Sequence, residues 1–262
     1  MALGETAPYA TIILALLVLG VYFYYSNGTL YLPEGFVSQY SASQAGPLGL
    51  VTHLFVHVGI IHLLGNLLPL IAFAWFFEKR SKSPQHTLVI FLTSGIIAGL
   101  LFVLLNPNSF LVGASAGVAG LIGACIVSKP RSTIVLLIVV PLATTLIAFP
   151  IADSARETQL NAFVQQTNVL QSQVEQLTVQ NKTAEAAAAN QSLQETRAKL
   201  EQTTTGVERE KTTPSDTLVH AIGVLFGIVY VRYARRDLWQ YGKQDFLLLG
   251  MQMRDALGLG KR

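Results

Sequence analysis

Three short stretches of this chain carry side chains suited to nucleophilic or acid–base chemistry, and each lies in apolar surroundings. The first, His53-Leu-Phe-Val-His57-Val-Gly-Ile-Ile-His62-Leu-Leu-Gly-Asn66, ends in a histidine and an asparagine one helical turn apart. That spacing puts His62 and Asn66 on one face, about 6 Å apart along the axis. Facing a polar cavity, the pair can donate hydrogen bonds to a developing oxyanion; facing another helix, it serves as interhelical glue. The second stretch is Gly113-Ala114-Ser115-Ala116-Gly117, followed by Gly120 and Gly123. Glycines so spaced let a neighbouring helix come close. Ser115 among them is either a packing hydroxyl bonded back one turn or a nucleophile. The third is His220-Ala221-Ile222-Gly223 with Gly227, a histidine on a small-residue face that suits either proton transfer or close packing.

Two further matches are set aside on context. The serine string satisfies the G-x-S-x-G elbow of α/β-hydrolases, but that elbow follows a strand in an alternating α/β chain, and these glycines lie among apolar spans. Asp216, one turn before His220, reads as a helix-start residue. In Thr213-Pro214-Ser215-Asp216, the threonine suits the N-cap, the proline the first helical position and the aspartate the first turn.

The elements that must position these groups follow from composition. Of 262 residues, 51% are hydrophobic and only 13% charged, about half the charge of an ordinary soluble domain. The charges cluster, leaving apolar stretches long enough to cross a bilayer as helices, at about 8–26, 50–77, 87–105, 110–128, 133–151 and 215–234. The expected fold is therefore an all-α membrane protein of six transmembrane helices, with a long polar helical insertion between helices 5 and 6. Its parts are a membrane core over 1–151, the insertion over 152–213, the sixth helix over 214–235 and a tail over 236–262. In the tail, Leu238, Trp239, Phe246, Leu249, Met253 and Leu257 suggest a helix lying at the membrane interface. The lone Cys125 excludes an intramolecular disulfide.

Basic residues set the orientation. Twelve of the 18 lysines and arginines lie in the loop at Lys79, Arg80 and Lys82, the loop at Lys129 and Arg131, and the tail from Arg232 onward. The positive-inside rule then puts both termini and these loops in the cytoplasm and the 152–213 insertion outside, in a multi-pass protein of the cell membrane. The net charge of +3 belongs to this pattern rather than to nucleic-acid binding. Sequons at Asn27, Asn181 and Asn190 fall on the outer side. Within the insertion, Leu160, Phe163, Leu170, Val174, Leu177, Ala184 and Ala188 follow an approximate heptad, interrupted at Thr167 and Asn181. Two readings fit: a long helix with weak coiled-coil character, or a polar, partly disordered insertion.

With this topology, His57, Ser115 and His220 all fall toward the outer ends of their spans. A serine and a histidine at one depth, on glycine-faced helices, meet the requirement of a nucleophile with its base.

Taken jointly, these residues resemble the rhomboid intramembrane serine proteases. The family pattern H-x-x-x-x-H-x-x-x-N is met by His57, His62 and Asn66, and its G-x-S-x motif by Gly113-Ala114-Ser115-Ala116. H-x-x-G-x-x-x-G is met by His220, Gly223 and Gly227, and the charged group after the second span by Glu78-Lys79-Arg80. The resemblance covers roughly 48–151 and 214–234. It implies a six-helix bundle that cleaves transmembrane segments of membrane-protein substrates from within the lipid bilayer. Ser115 would be the nucleophile and His220 its base. His62, Asn66 and the Ser115 N–H would hold the oxyanion, with His57, Gly113, Gly223 and Gly227 in support and no metal or organic cofactor. Many members carry a Trp-Arg pair in the first outer loop, whereas residues 27–49 contain neither, so that loop is expected to meet the interface differently. The insertion has no counterpart in the compact family core and is expected to restrict substrate access or to recruit a partner. The competing expectation is a catalytically silent rhomboid-like protein that binds membrane clients. Such proteins typically lack the serine or the histidine, and this chain keeps both.

Overall fold

The structure, a computed structural model, describes residues 7–44, 46–212 and 217–257. The described residues form helices α1 (Tyr9–Tyr25), α2 (Glu34–Tyr40), α3 (Gly49–Thr52), α4 (Ile60–Ser81), α5 (Pro84–Leu105) and α6 (Ser115–Ser128). There follow α7 (Pro130–Ala143), α8 (Phe149–Val179), α9 (Thr183–Thr212), α10 (Thr217–Ala234) and α11 (Arg236–Ala256). Among the described residues there is no strand, only isolated antiparallel bridges at Tyr31–Gly59 and Ala42–Leu111. The helix start expected at Thr213 to Asp216 lies outside the described residues.

Four helical runs are long and apolar enough to cross a membrane: α4, α5, the run Pro130–Val179 and α10; α1 and α6 are shorter apolar helices. Their outer faces are apolar too. Ile12, Ile13 and Leu16 of α1, Leu104 and Leu105 of α5, and Ile138, Val139 and Leu142 of α7 are all exposed. An apolar exterior of this extent needs lipid as its solvent. The chain is a multi-pass membrane protein.

Two spans start later than their hydropathy suggests. α4 begins at Ile60, ten residues after the start expected at 50, because Val56 to Gly59 run non-helically and pair with the loop after α1 (Leu32 N–H to Val58 O, 3.1 Å; Ile60 N–H to Leu30 O, 3.2 Å). α6 begins at Ser115 itself rather than at 110. The segment before it is held by a mutual Ala42–Leu111 backbone pair (2.9 Å each way) and by the Gly113 N–H on His53 O (2.8 Å). Non-helical backbone inside a membrane protein survives only where its polar groups are so satisfied.

α6 lies at the centre of the bundle, and its glycines explain how. A methyl on Gly117 would stand 2.6 Å from the Phe91 ring, and one on Gly120 would stand 2.2 Å from Ser94 Oγ, so α5 packs directly on its backbone. From the other side, a methyl on Gly223 would meet Ala116 O at 2.4 Å and one on Gly227 would meet Gly120 O at 1.9 Å. Residue numbers rise together across that contact, so α6 and α10 run parallel with their backbones touching.

The basic loops gather at one end of the bundle. Arg235 Nη1 donates to Ser81 O (3.0 Å), Arg131 pairs with Asp245 (3.3 Å), and the Arg80 guanidinium covers the Tyr241 ring at 3.7 Å. At this end Glu78, near the close of α4, caps the start of α1. Its carboxylate accepts the Ala10 N–H (3.0 Å), the Thr11 N–H (2.9 Å) and the Thr11 hydroxyl (2.8 Å). The α1 N-cap is Pro8, which has no side chain able to do this. Glu78→Ala is therefore expected to cost about 3 kcal/mol of stability, read as a lowered melting temperature in detergent, with Glu78→Gln intermediate.

Residues 152–212 form the two arms of a helical hairpin. The helix does not break at 152: α7 passes into α8 through a π-turn at Thr144–Ala148, and the chain reverses only at 180–182, with Asn181 left-handed at φ 56°. Leu160, Phe163, Thr167, Leu170, Val174 and Leu177 form the half-buried stripe of α8, as their heptad spacing implies. Ala184 and Ala188 are exposed instead. The turn resets the register, and the inward positions of α9 become Ala186, Ala189, Leu193, Thr196, Leu200, Thr203 and Val207.

Candidate active site

Parallel packing of α6 against α10 determines what stands beside Ser115. Gly223 and Gly227 meet Ala116, Gly120 and their neighbours. His220 lies one turn before Gly223 on the same face of α10, which brings it level with the first residue of α6. That residue is Ser115. Both line a single cavity of about 1070 Å³ at the end of the bundle away from the basic loops, and His62, Asn66 and Gly65 of α4 line it with them.

The turn before Ser115 is shaped by its neighbours. Gly113 has φ +105, a left-handed value that strains any residue with a Cβ. A Cβ there would also stand 2.7 Å from His62 Nε2 and 3.6 Å from Asn66 Nδ2. The imidazole and the amide thus lie directly against the backbone that leads into Ser115. Asn66 is oriented by donating its amide to His62 O (2.9 Å). His57 is fully buried behind the turn, where its Nε2 accepts the Ala114 N–H at 3.3 Å and its ring meets that of His62 edge-on at 5.2 Å. His57 therefore holds the turn rather than facing the cavity. His53 is further back, with Nδ1 3.0 Å from Gly49 O and its ring packed on Gly99 of α5.

The structure thus brings Ser115, His220, His62 and Asn66 to one cavity and leaves Gly113, Gly223, Gly227 and His57 to shape it. A serine at a helix start, a histidine level with it and two polar side chains against its backbone are the parts acyl transfer uses. Asp216, weighed above as a helix-start residue, lies outside the described residues.

The sequence reading missed the contribution of the hairpin. Arg209 and Glu210, from the end of α9, line the same cavity, as does Phe149 from the start of α8. Glu210 Oε1 accepts the His62 N–H at 2.7 Å, and Oε2 lies 3.4 Å from the Tyr31 hydroxyl. Burial raises the Glu210 pKa above the usual carboxylate range; the His62 and Ile61 amides, the Tyr31 hydroxyl and Arg156 work against that rise. No local sequence signal marks this glutamate, because its partner is 148 residues away.

Comparison with known proteins bears on the family of the chain. Residues 44–156 match the family profile described as the Rhomboid domain. Over 73 residues the chain is 37% identical to the Rhomboid-like protease 3 of Toxoplasma gondii, a stretch covering 28% of this chain and 27% of that protein. The chain thus aligns with about a quarter of the length of that relative. No solved structure matches.

Proposed function

We propose that the chain is a rhomboid-type intramembrane serine endopeptidase that cuts transmembrane segments of membrane proteins with a Ser115–His220 dyad; the match of residues 44–156 to the Rhomboid domain supports the family. The observation that carries this reading is the single cavity, inside an apolar bundle, lined by Ser115, His220, His62 and Asn66. Ser115 Oγ attacks the scissile carbonyl carbon while His220 takes its proton, and the carbonyl oxygen becomes the oxyanion. His62, Asn66 and the Ser115 N–H donate to that oxygen. Collapse of the tetrahedral species expels the amine, which receives the proton from His220, and leaves an acyl-enzyme on Ser115. Water activated by His220 then releases the acid and restores the serine.

The cavity opens on the outer side, with both termini and the basic loops in the cytoplasm. Clustering of Arg80, Arg131 and Arg235 at the opposite end of the bundle from Ser115 supports that orientation.

The direct test is reaction of the full chain in detergent or liposomes with a serine-directed fluorophosphonate, alongside a reconstituted transmembrane substrate. Labelling at Ser115 together with cleavage is the expected result. A folded protein that neither labels nor cleaves would overturn the reading and leave the catalytically silent, client-binding alternative.

A further inference from the structure

The first turn of α4 has no cap of its own. Its N-cap is Gly59, which offers no side chain, so the amides at the helix start must find acceptors elsewhere. A carboxylate from the far end of the chain supplies one: Glu210 of α9 accepts the His62 N–H at 2.7 Å and also interacts with the Ile61 N–H. Gly59 makes room for it. Its φ is an extended −154°, which any residue can adopt, but a Cβ there would stand 2.8 Å from Glu210 Oε1 and 2.6 Å from the Tyr31 ring. The glycine is there for space.

Glu210 is delivered by a docked arm. Gln202, two turns earlier on α9, donates its amide to Ser26 O (3.2 Å), Thr29 Oγ1 (2.9 Å) and Tyr31 O (2.6 Å). Gly206 lies flat on Tyr31, where a methyl would stand 2.3 Å from the ring. On the other arm, Gln159 bonds both the Leu30 N–H (2.9 Å) and Gly28 O (3.0 Å). Both arms thus grip residues 26–31, and that loop in turn pairs with the segment leading into α4.

We infer that Glu210 is a positioning residue: by capping α4 from the hairpin, it fixes the turn that carries His62 and Asn66 against the backbone of Ser115. The inference rests on the proposed protease reading and extends it, because it makes the last turns of the hairpin part of the reaction machinery. A carboxylate at a helix start interacts favourably with the exposed amides and with the helix dipole. Losing it frees the first turn of α4, and displacement of oxyanion donors by an ångström is enough to lower turnover by about 100-fold. The effect belongs on turnover rather than on substrate affinity.

The test uses the full chain and four variants: Glu210→Ala, Glu210→Gln, Glu210→Asp and, as a control on the exposed face of α9, Glu201→Ala. For each, kcat and KM are measured on a transmembrane substrate, with the active fraction fixed by the end point of fluorophosphonate labelling. Amide hydrogen exchange over residues 60–64 is followed in parallel. Glu210→Ala is expected to lower kcat per active site at least about 10-fold with KM within about twofold, and to speed exchange at Ile61 and His62. Gln keeps an acceptor at the same reach and is expected to stay within about threefold of wild type. Asp keeps the charge but withdraws the oxygens, and is expected to behave like Ala. Should the alanine protein not fold, the contrast between Gln and Asp decides. An active wild type with all three Glu210 variants at full kcat would overturn this inference alone. Loss in Gln with Asp near wild type would overturn capping by reach in favour of charge. An inert wild type would overturn the protease reading, and the positioning role with it.

Discussion

Ser115→Ala and His220→Ala are each expected to reduce cleavage of a reconstituted transmembrane substrate by at least about 10³-fold, with the double variant no worse than either single one. The reason is mechanistic. Without its hydroxyl, residue 115 cannot form the acyl-enzyme. Without the imidazole, the hydroxyl keeps its proton at neutral pH and the leaving amine receives none. Two groups that act as one unit cannot lose their contribution twice, so the losses do not add. His62→Ala and Asn66→Ala remove one oxyanion donor each and leave the nucleophile and base in place. Each is expected to lose about 10- to 100-fold in kcat, below the range for a fully enclosed donor, because the cavity is open to water. The graded order Ser115 ≈ His220 > His62 ≈ Asn66 is read from rates normalised to folded protein. Full cleavage by Ser115→Ala would remove the dyad from the mechanism.

The parts of this site that could be read from sequence are those encoded within one or two helical turns. His62 and Asn66 are a turn apart, and so are His220 and Gly223. Their spacing is informative because the α-helix converts it directly into a shared face. The glycines of α6 and α10 were legible for a related reason: small residues at a regular interval make sense on a membrane helix only as a contact surface, and both helices carry them. Hydropathy marked the apolar helices but not where each begins. Val56 and Val58 are as apolar as helical residues would be, and only their pairing with the loop after α1 reveals that α4 begins at Ile60.

What the sequence hid is tertiary. Pro8 and Gly59 stand at the starts of α1 and α4, and neither can cap. In each case a glutamate from a distant helix does so: Glu78, 68 and 67 residues from the amides it accepts, and Glu210, 148 residues away. A local pattern such as the capping box cannot announce a cap whose partners meet only after folding. The hairpin register was hidden likewise. The heptad of α8 holds through Leu177, but the left-handed Asn181 inserts a reversal, after which a continued heptad points Ala184 and Ala188 to solvent. Sequence periodicity carries no memory across a turn.

Gly227→Ala should be the most damaging of the single-methyl changes at the contact of α6 with α10. Its Cβ would stand 1.9 Å from Gly120 O and 2.9 Å from Ala124 N. These are backbone atoms of α6, which no rotamer change can move aside, so α10 must shift away from its partner. Overpacking of this kind costs about 1–3 kcal/mol where side chains can adjust, and about 3 kcal/mol is expected here. Stability is only half of the effect. Gly227 and His220 lie two turns apart on the same face of α10, so a displacement that clears Gly120 also carries the imidazole away from Ser115. Cleavage per folded molecule is therefore expected to fall about 100-fold, since a base an ångström out of place no longer reaches its proton. Gly20→Ala is the control. A methyl there meets nothing within 4 Å on the outer face of α1, and that variant should keep both its melting temperature and its activity. Equal behaviour of the two alanine variants would mean that close approach of α6 and α10 does not set the distance between serine and histidine.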